Sequence, residues 1–207
     1  MNFDEEFYSR QAAAIGINFM NKFSKLKIFM IGLNGLGIEI AKNLVLSGPK
    51  KITLFDKKKI NEEDLQCNIF INENDIGFPR DEICLNKLRE LNNIKIDLLY
   101  DNNYMDYIVN YNIVIISEIL EPEKLEEIND ICQLNKIGFI YGLALGLSFY
   151  CFVDYGEHVI LNKNNKDPER YYIKSIIKGK KTKIILDDSQ KEDFKLNIND
   201  CVILKDI

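Results

Sequence analysis

The chain has 207 residues, of which 46% are hydrophobic and 29% are charged, and its formal net charge is -5 at pH 7. This length and composition are typical of a globular protein with one domain of ordinary size and a smaller remainder. The negative charge argues against nucleic acid as a partner, since phosphate binding requires a positive surface. Apolar runs stay well below the roughly 20 residues that span a membrane, so we expect no membrane segment.

The first predicted element is a helix over residues 8–23, which carries Arg10 near its start. A strand over residues 26–31 follows and leads into the glycine turn GLNGLG, with Gly32, Gly35 and Gly37. In a strand-to-helix crossover of the Rossmann type, the first glycine makes the turn and the second lets the backbone approach a phosphate. The third glycine lets the helix pack closely on the sheet.

The helix after this turn is predicted to end at Gly48, because a glycine followed by a proline is a common helix stop. The next strand, residues 52–55, leads directly to Asp56. An acidic residue about twenty positions after the glycine turn is where a Rossmann domain binds a ribose. Gly32, Gly35, Gly37 and Asp56 therefore predict a pocket with the shape of a nucleotide site.

Helices and strands continue to alternate after Asp56. The patterns predict helices over residues 82–91 and 122–136, and strands over residues 94–99, 113–116 and 138–142. The uninterrupted apolar run Ile113–Ile116 is typical of a parallel strand that is covered on both faces. The fold class is therefore predicted to be α/β, with a Rossmann-like, doubly wound and mostly parallel sheet over residues 1–150.

From Ser148 onward the helical period disappears. Short alternating patterns predict strands over residues 148–154, 158–162, 171–177, 183–186 and 201–204, separated by turn-rich stretches. We therefore expect a second, small β module over residues 151–207.

The remaining titratable side chains give little indication of chemistry. The five cysteines (Cys67, Cys84, Cys132, Cys151 and Cys201) are scattered without a CxxC pair, which indicates a reducing compartment and structural roles. His158 is expected to be structural or exposed to solvent. The lysine runs at residues 50–51 and 57–59 are expected to be solvated turns, and no metal site is predicted.

Four pieces of sequence together resemble the adenylating enzymes that activate ubiquitin-like proteins, in the ThiF/MoeB-like superfamily. They are YSRQ (residues 8–11), GLNGLGIEIAKNLVLSGPKKITLFD (32–56), DLQCNIFINENDIGFPR (64–80) and GFIYG (138–142). They stand in the family's order and, with the chain between them, cover nearly all of residues 7–155. Within the family, the chain looks most like the N-terminal, catalytically silent half of a ubiquitin-activating enzyme. The β module resembles the start of the small barrel inserted in that half, so the chain is expected to be a fragment.

The resemblance implies which catalytic positions have changed. The family's phosphate-binding arginine falls on Cys67, its phosphate-binding lysine on or near Arg80, and its magnesium-binding aspartate on or close to Glu118. A thiol cannot replace the planar, permanently charged guanidinium. The pocket at Gly32, Gly35, Gly37 and Asp56 is therefore expected to be vestigial, with no catalytic residue and no bound cofactor in this fragment.

Arg10 is the residue to which the resemblance gives a role. In the family, the arginine of the YxRQ segment reaches across the pseudo-dimer and contacts the ATP phosphates in the partner's active site. Such a cation supplied in trans neutralises charge that develops at the phosphates. The alternative is an ordinary surface arginine that pairs with Asp4, Glu5 or Glu6.

The implied parent enzyme uses ATP and magnesium to adenylate the C-terminus of ubiquitin and then forms a thioester, in the cytoplasm and nucleus. Its implied partners for this fragment are the active adenylation domain of the same chain and ubiquitin. Three alternatives stay open: the silent subunit of a SUMO- or NEDD8-activating heterodimer, a non-catalytic interaction scaffold, and an NAD-dependent dehydrogenase. The last leaves YSRQ unexplained.

Overall fold

The computed structural model describes residues 4–156, 171–179 and 182–187, and the chain divides into two compact units, Met1–His158 and Val159–Ile207. The helices of the first unit are α1 (Ser9–Ile15), α2 (Ile17–Phe23), α3 (Gly35–Ser47), α4 (Asp64–Cys67), α5 (Arg80–Leu91) and α6 (Pro122–Leu134). Its strands are β1 (Lys27–Ile31), β2 (Lys51–Phe55), β3 (Lys95–Leu98), β4 (Ile113–Ile116), β5 (Gly138–Leu145) and β6 (Ser148–Asp154). Two 3-10 segments, Glu73–Asp75 and Tyr104–Asn110, complete the unit.

The six strands form one sheet in the order β3-β2-β1-β4-β5-β6. The pairs among β1 to β5 are parallel, and only β6 runs antiparallel to its neighbour. The order changes direction at β1, so that β2 and β4 lie on either side of it, and crevices at such a switch point are where α/β sheets bind ligands. The predicted fold class, a Rossmann-like and mostly parallel sheet, is confirmed.

Helices cover both faces of the sheet and create two apolar cores. On β1, Ile28 and Met30 belong to the core that includes residues of α3 and α5, whereas Phe29 and Ile31 belong to the core that includes residues of α6. All four side chains have 0% exposure. The alternation of a strand sends successive side chains to opposite faces, so a strand segment covered on both sides, such as Ile28–Ile31, is apolar at consecutive positions.

The helix predicted over residues 8–23 is wrong in one respect, because it is two helices. Gly16 separates α1 from α2 and has φ 92° and ψ 141°, which is not a helical conformation. Glycine adopts this positive φ without the Cβ clash that other residues suffer, so the chain can turn there.

The expectation that residues 148–154 start the second module is also wrong. β6 pairs along its length with β5, from Leu145 opposite Ser148 to Phe139 opposite Asp154. The turn between them consists of two residues, and Gly146 has φ 62°, as such tight hairpins require. The expected domain boundary at residue 150 therefore falls inside β6, whereas the compact units divide between residues 158 and 159.

The second unit contains an antiparallel pair, β7 (Ile173–Ile177) and β8 (Lys183–Leu186), with a register shift between Ile173 and Ser175. This pair agrees with the predicted strands over residues 171–177 and 183–186. The strands predicted over residues 158–162 and 201–204 lie outside the described residues, so a barrel stays a prediction. Among the helices of the described ranges, none is long and apolar enough to cross a membrane.

Candidate functional site

The glycine turn lies at the carboxyl end of β1, where the strand order changes direction. Gly32 has φ 91°, which glycine tolerates best. A Cβ atom on Gly37 would lie 2.4 Å from the carbonyl oxygen of Gly32 and 2.4 Å from Oγ of Ser117, at the end of β4. The two glycines let α3 start against the ends of β1 and β4.

Gly35 has a different neighbour. A Cβ atom on Gly35 would lie 2.8 Å from Cβ and 3.0 Å from Sγ of Cys67, the last residue of α4. The middle glycine of such a turn normally leaves room for a phosphate next to the backbone. Here the side chain of Cys67 packs against that glycine.

The amino terminus of α3 is capped by the chain itself. Asn34 is the N-cap residue, and its Oδ1 accepts a hydrogen bond of 2.9 Å from the backbone N–H of Gly37. The other side-chain atom of Asn34, Nδ2, donates to the carbonyl oxygen of Ser117. Exposed N–H groups at a helix amino terminus attract anions, and an N-cap side chain takes up one of them.

Asp56 is 1% exposed, and both of its carboxylate oxygens accept hydrogen bonds from this chain. Oδ2 accepts from the backbone N–H of Leu33 at 2.7 Å and from Nη1 of Arg80 at 3.0 Å, while Oδ1 accepts from the backbone N–H of Lys58 at 3.0 Å. Asp56 therefore holds the glycine turn, the start of the next loop and α5 together.

Arg80 connects two carboxylates at the start of α5. It is 6% exposed, and its Nη2 lies 2.9 Å from Oδ2 of Asp64, which is 5% exposed in α4. Burial alone would lower the pKa of the Arg80 guanidinium, but the negative charges of Asp56 and Asp64 outweigh burial and raise it. Arg80 is therefore permanently charged, and both of its terminal nitrogens are engaged.

The ion pairs around Arg80 carry a net negative charge. Asp81 is 1% exposed and accepts a hydrogen bond of 3.4 Å from Nζ of Lys57, a half-exposed side chain. Three carboxylates (Asp56, Asp64 and Asp81) thus face two cations (Arg80 and Lys57), which leaves a net charge of -1. An incoming polyphosphate would meet repulsion here.

Glu118 follows β4 on the other side of the glycine turn. Its Oε2 lies 2.9 Å from Nζ of Lys58, and the Glu118 side chain is 14% exposed. The carboxylate at the position predicted for a magnesium ligand is therefore paired with a lysine. Within the described ranges, no group of three or more His, Cys, Asp or Glu side chains has a metal-binding arrangement.

Arg10 lies far from this pocket. Tyr8, two residues before it, is 9% exposed, and its hydroxyl accepts a hydrogen bond of 2.6 Å from Nδ2 of Asn92, the residue that ends α5. The same hydroxyl packs so closely on Gly48 that a Cβ atom there would lie 2.3 Å away. Gly48 ends α3, and the ten helical residues 38–47 separate it from Gly37 of the glycine turn, a length of roughly 15 Å at 1.5 Å per residue. Tyr8 thus holds Arg10 at the end of the domain opposite the turn.

The side chain of Arg10 is exposed, and none of the salt bridges within the described residues includes it. The carboxylate of Asp4, one of the alternative partners, accepts hydrogen bonds from the backbone N–H groups of Glu6 and Phe7. Arg10 is therefore available to a partner.

A family model described as "ThiF family" matches residues 8–171, which is most of the chain. The chain belongs to the ThiF family. The match includes YSRQ, the glycine turn and the whole six-stranded sheet.

Curated relatives of this ThiF-family chain include ubiquitin-activating enzyme E1 1 of Schizosaccharomyces pombe, which is 38% identical over 76% of the chain and 15% of the relative. The ubiquitin-like modifier-activating enzyme 1 of Dictyostelium discoideum is 32% identical over 99% of the chain and 20% of the relative. A crystal structure of E. coli MccB with succinimide has a TM-score of 0.64 at 17% identity and matches 75% of this chain and 50% of that one. The last comparison supports the fold alone, and the chain spans at most a fifth of these two curated relatives.

The cysteines of this ThiF-family chain differ in exposure. Cys84 and Cys132 have 0% exposure, and burial raises the pKa of the Cys84 thiol to about 11 and that of Cys132 to about 12. Thiols with raised pKa values are poor nucleophiles at neutral pH. Cys67 and Cys151 are exposed, and all four of these cysteines are free. Cys201 and His158 lie outside the described residues.

Sequence reasoning missed two residues of structural importance, Tyr8 and Asp64. In the sequence, Tyr8 stands out only as part of YSRQ, but it is the residue that fixes the position of Arg10. Asp64 precedes Arg80 by 16 residues, and only the folded chain brings the two within 2.9 Å. No local pattern identifies a carboxylate as the partner of an arginine that distant.

Proposed function

We propose that this chain is the N-terminal, catalytically silent adenylation half of a ubiquitin-activating enzyme. The parent would use ATP and magnesium to adenylate the C-terminus of ubiquitin and would then form a thioester. This part would supply Arg10 in trans and a surface that docks the active adenylation domain. The observation that carries the proposal is the pairing of Arg80 with Asp56 and Asp64.

This pairing supports a silent role because it engages the groups that a nucleotide would need. The carboxylate expected at the ribose already accepts three hydrogen bonds, and the cation expected at the phosphates is held by two carboxylates. Cys67 packs on Gly35 where a phosphate would approach. The residues present therefore do not fit a bound nucleotide, and we derive no catalytic step through one.

The position of Arg10 supports the second part of the proposal. An arginine anchored beside Gly48, roughly 15 Å along α3 from the glycine turn of its own domain, is too distant to reach it, whereas an exposed guanidinium at the opposite end can enter a neighbour's site. A cation delivered in this way stabilises charge on a transferring phosphoryl group, an effect on the order of 10³-fold in rate. Tyr8 and α1, the helix that carries Arg10, form an arm that we call the Arg10 arm, and Tyr8 is its positioning residue.

The role of the small β module and the compartment are parts of the same proposal. We expect the small β module to contact ubiquitin, and we place the parent in the cytoplasm and nucleus. The free thiols of Cys67, Cys84, Cys132 and Cys151 support a reducing compartment. The alternative of a silent subunit in a SUMO- or NEDD8-activating heterodimer is less favoured, because the Schizosaccharomyces pombe relative named above is a ubiquitin-activating enzyme and is 38% identical over 76% of the chain.

The test measures equilibrium binding of this chain to the separately expressed active adenylation domain, with and without ATP, for the wild type and Arg10→Ala. Arg89→Ala is the matched control, because Arg89 is an exposed arginine on α5. We expect ATP to tighten binding of the wild type and of Arg89→Ala but not of Arg10→Ala. An affinity that changes neither with ATP nor with Arg10→Ala would favour the scaffold alternative. ATP–pyrophosphate exchange by this chain alone with ubiquitin would overturn the silent assignment.

A further inference from the structure

Three lysines stand in one row at the amino-terminal edge of the sheet. Lys27, Lys51 and Lys95 are the first residues of β1, β2 and β3, and the parallel registers place Lys27 beside Lys51 and Lys51 beside Lys95. Neighbouring strands lie about 4.8 Å apart, so three ammonium-bearing side chains start within about 10 Å of one another. Like charges this close repel, so the row is costly unless an anion offsets it.

The three lysines line a cleft of about 300 Å³, together with Lys50, Asn110 and Tyr111. Tyr111 is 9% exposed, and its ring stacks on that of Phe29 with the centroids 5.0 Å apart. Asn110 ends the 3-10 segment before β4. The ring of Tyr111 is thus held in place by the core, and the lysine side chains give the cleft its positive charge.

One carboxylate partly offsets these cations. Oδ2 of Asp97 lies 2.9 Å from Nζ of Lys51 and 3.6 Å from Nζ of Lys95. Burial raises the pKa of Asp97, but the hydrogen bond and charge of Lys51 outweigh burial and lower it, so Asp97 stays ionised at neutral pH. Four lysines against one carboxylate leave a local charge of +3 (four minus one), and no salt bridge among the described residues includes Lys27 or Lys50.

The cleft is separate from the glycine turn. The turn follows the carboxyl ends of the parallel strands, whereas these lysines begin them, and the five residues of β1 span roughly 16 Å at 3.3 Å each. The two ends of the sheet also differ in sign, with a net negative cluster around Arg80 and a net positive one around Lys51.

We propose that this cleft binds a small polyanion that carries two or more adjacent phosphate groups. Lysines bind phosphate as flexible point charges, and several within reach of one ligand suit a multiply charged anion. The volume lies at the lower limit of small-molecule pockets, which favours a compact phosphate compound over an extended acidic peptide. The inference does not depend on the function proposed above, because it involves neither Arg10 nor the glycine turn.

Titration calorimetry of the 207-residue chain with inorganic tripolyphosphate tests the proposal. The variant Lys27→Gln/Lys50→Gln removes two cleft charges that form no salt bridge with the described residues, and Lys22→Gln/Lys87→Gln removes two exposed lysines on α2 and α5 as a charge-matched control. We expect binding to weaken roughly tenfold in the cleft variant and less than twofold in the control. Asp97→Asn should tighten binding, because it removes the carboxylate that offsets the lysines.

Each other outcome overturns the proposal. Absence of binding at low salt would mean that the cleft is not an anion site. An equal loss of affinity in both double variants would mean that the lysines attract anions only through general charge. Tighter binding of a poly-glutamate peptide than of tripolyphosphate, with the same dependence on Lys27 and Lys50, would replace the small ligand by an acidic protein segment. Circular dichroism of every variant verifies that the fold is intact.

Discussion

The guanidinium of Arg80 lies between two buried carboxylates, 3.0 Å from Asp56 and 2.9 Å from Asp64. These three residues come from the end of β2, from α4 and from the start of α5. The ion triad of Arg80, Asp56 and Asp64 therefore connects the end of β2 with α4 and with the start of α5. In our proposal it takes the place that a nucleotide and its contacts have in an active domain.

Removing the arginine should expose how much the fold depends on this triad. Arg80→Met leaves Asp56 and Asp64 without a cation in a buried site, and we expect the free energy of unfolding to fall by about 3–5 kcal/mol. Urea denaturation measures the loss. Arg89→Met on the same helix is the control, because Arg89 is exposed and donates one hydrogen bond of 2.7 Å to the carbonyl oxygen of Ile96; its loss should be about 1 kcal/mol. Equal losses would contradict a special role for the triad.

The contact between Tyr8 and Gly48 should decide whether the Arg10 arm stays in place. Gly48→Ala adds a Cβ atom 2.3 Å from the Tyr8 hydroxyl at φ 79°, so α1 should detach and the amides of residues 9–15 should exchange faster with deuterium. Gly16→Ala is the control, because Gly16 has φ 92° but no atom within 4 Å of the added Cβ. It should cost about 1 kcal/mol of backbone strain and leave Tyr8 anchored. Slow exchange in Gly48→Ala would mean that Tyr8 does not hold the arm.

A double-mutant cycle tests the packing of Cys67 on the glycine turn. Gly35→Ala places a Cβ atom 2.8 Å from Cβ of Cys67 and should destabilise the fold, whereas the same change in a Cys67→Gly background should cost less. We expect a coupling energy of about 1–2 kcal/mol from urea denaturation. Additive effects of the two changes would show that α4 does not press on the turn. Gly142→Ala, whose added Cβ finds only Cδ2 of Leu36 at 3.7 Å, should show no coupling to Cys67.

The thiols should divide into two classes. In a Cys201→Ser background, a disulfide reagent at pH 8 should label Cys67 and Cys151 within minutes and leave Cys84 and Cys132 unmodified until the protein unfolds. Mass spectrometry of the labelled peptides identifies each site. Rapid labelling of Cys84 in the folded chain would contradict its burial.

The raised pKa of Cys84 also has a consequence for stability at high pH. In the folded state the Cys84 thiol keeps its proton up to about pH 11, whereas in the unfolded state it loses the proton near pH 9. Ionisation of Cys84 therefore leaves the free energy of unfolding unchanged below pH 9 and lowers it as the pH rises toward 11. Cys84→Ala should remove this part of the pH dependence. Urea titrations at pH 8 and pH 10.5 for both proteins measure the difference.

By itself the sequence determined the regular part of this protein. Continuous apolar runs such as Ile113–Ile116 can be buried only between two layers, and the turn with Gly32, Gly35 and Gly37 is a local signal, so strands, helices and fold class followed from short-range patterns. The Arg10 segment was also visible, because YSRQ is a contiguous motif.

Only the tertiary structure decided how side chains far apart in the chain pair with one another. Arg80 meets Asp64 across 16 residues, Tyr8 meets Asn92 across 84, and Lys27 stands beside Lys51 through strand register. The tertiary structure also decided the helix break at Gly16 and the pairing of β6 with β5. At both places local propensity allows more than one structure, and packing selects one of them. Long-range ion pairs and edge pairing depend on where the backbone brings distant residues together, which periodicity does not encode.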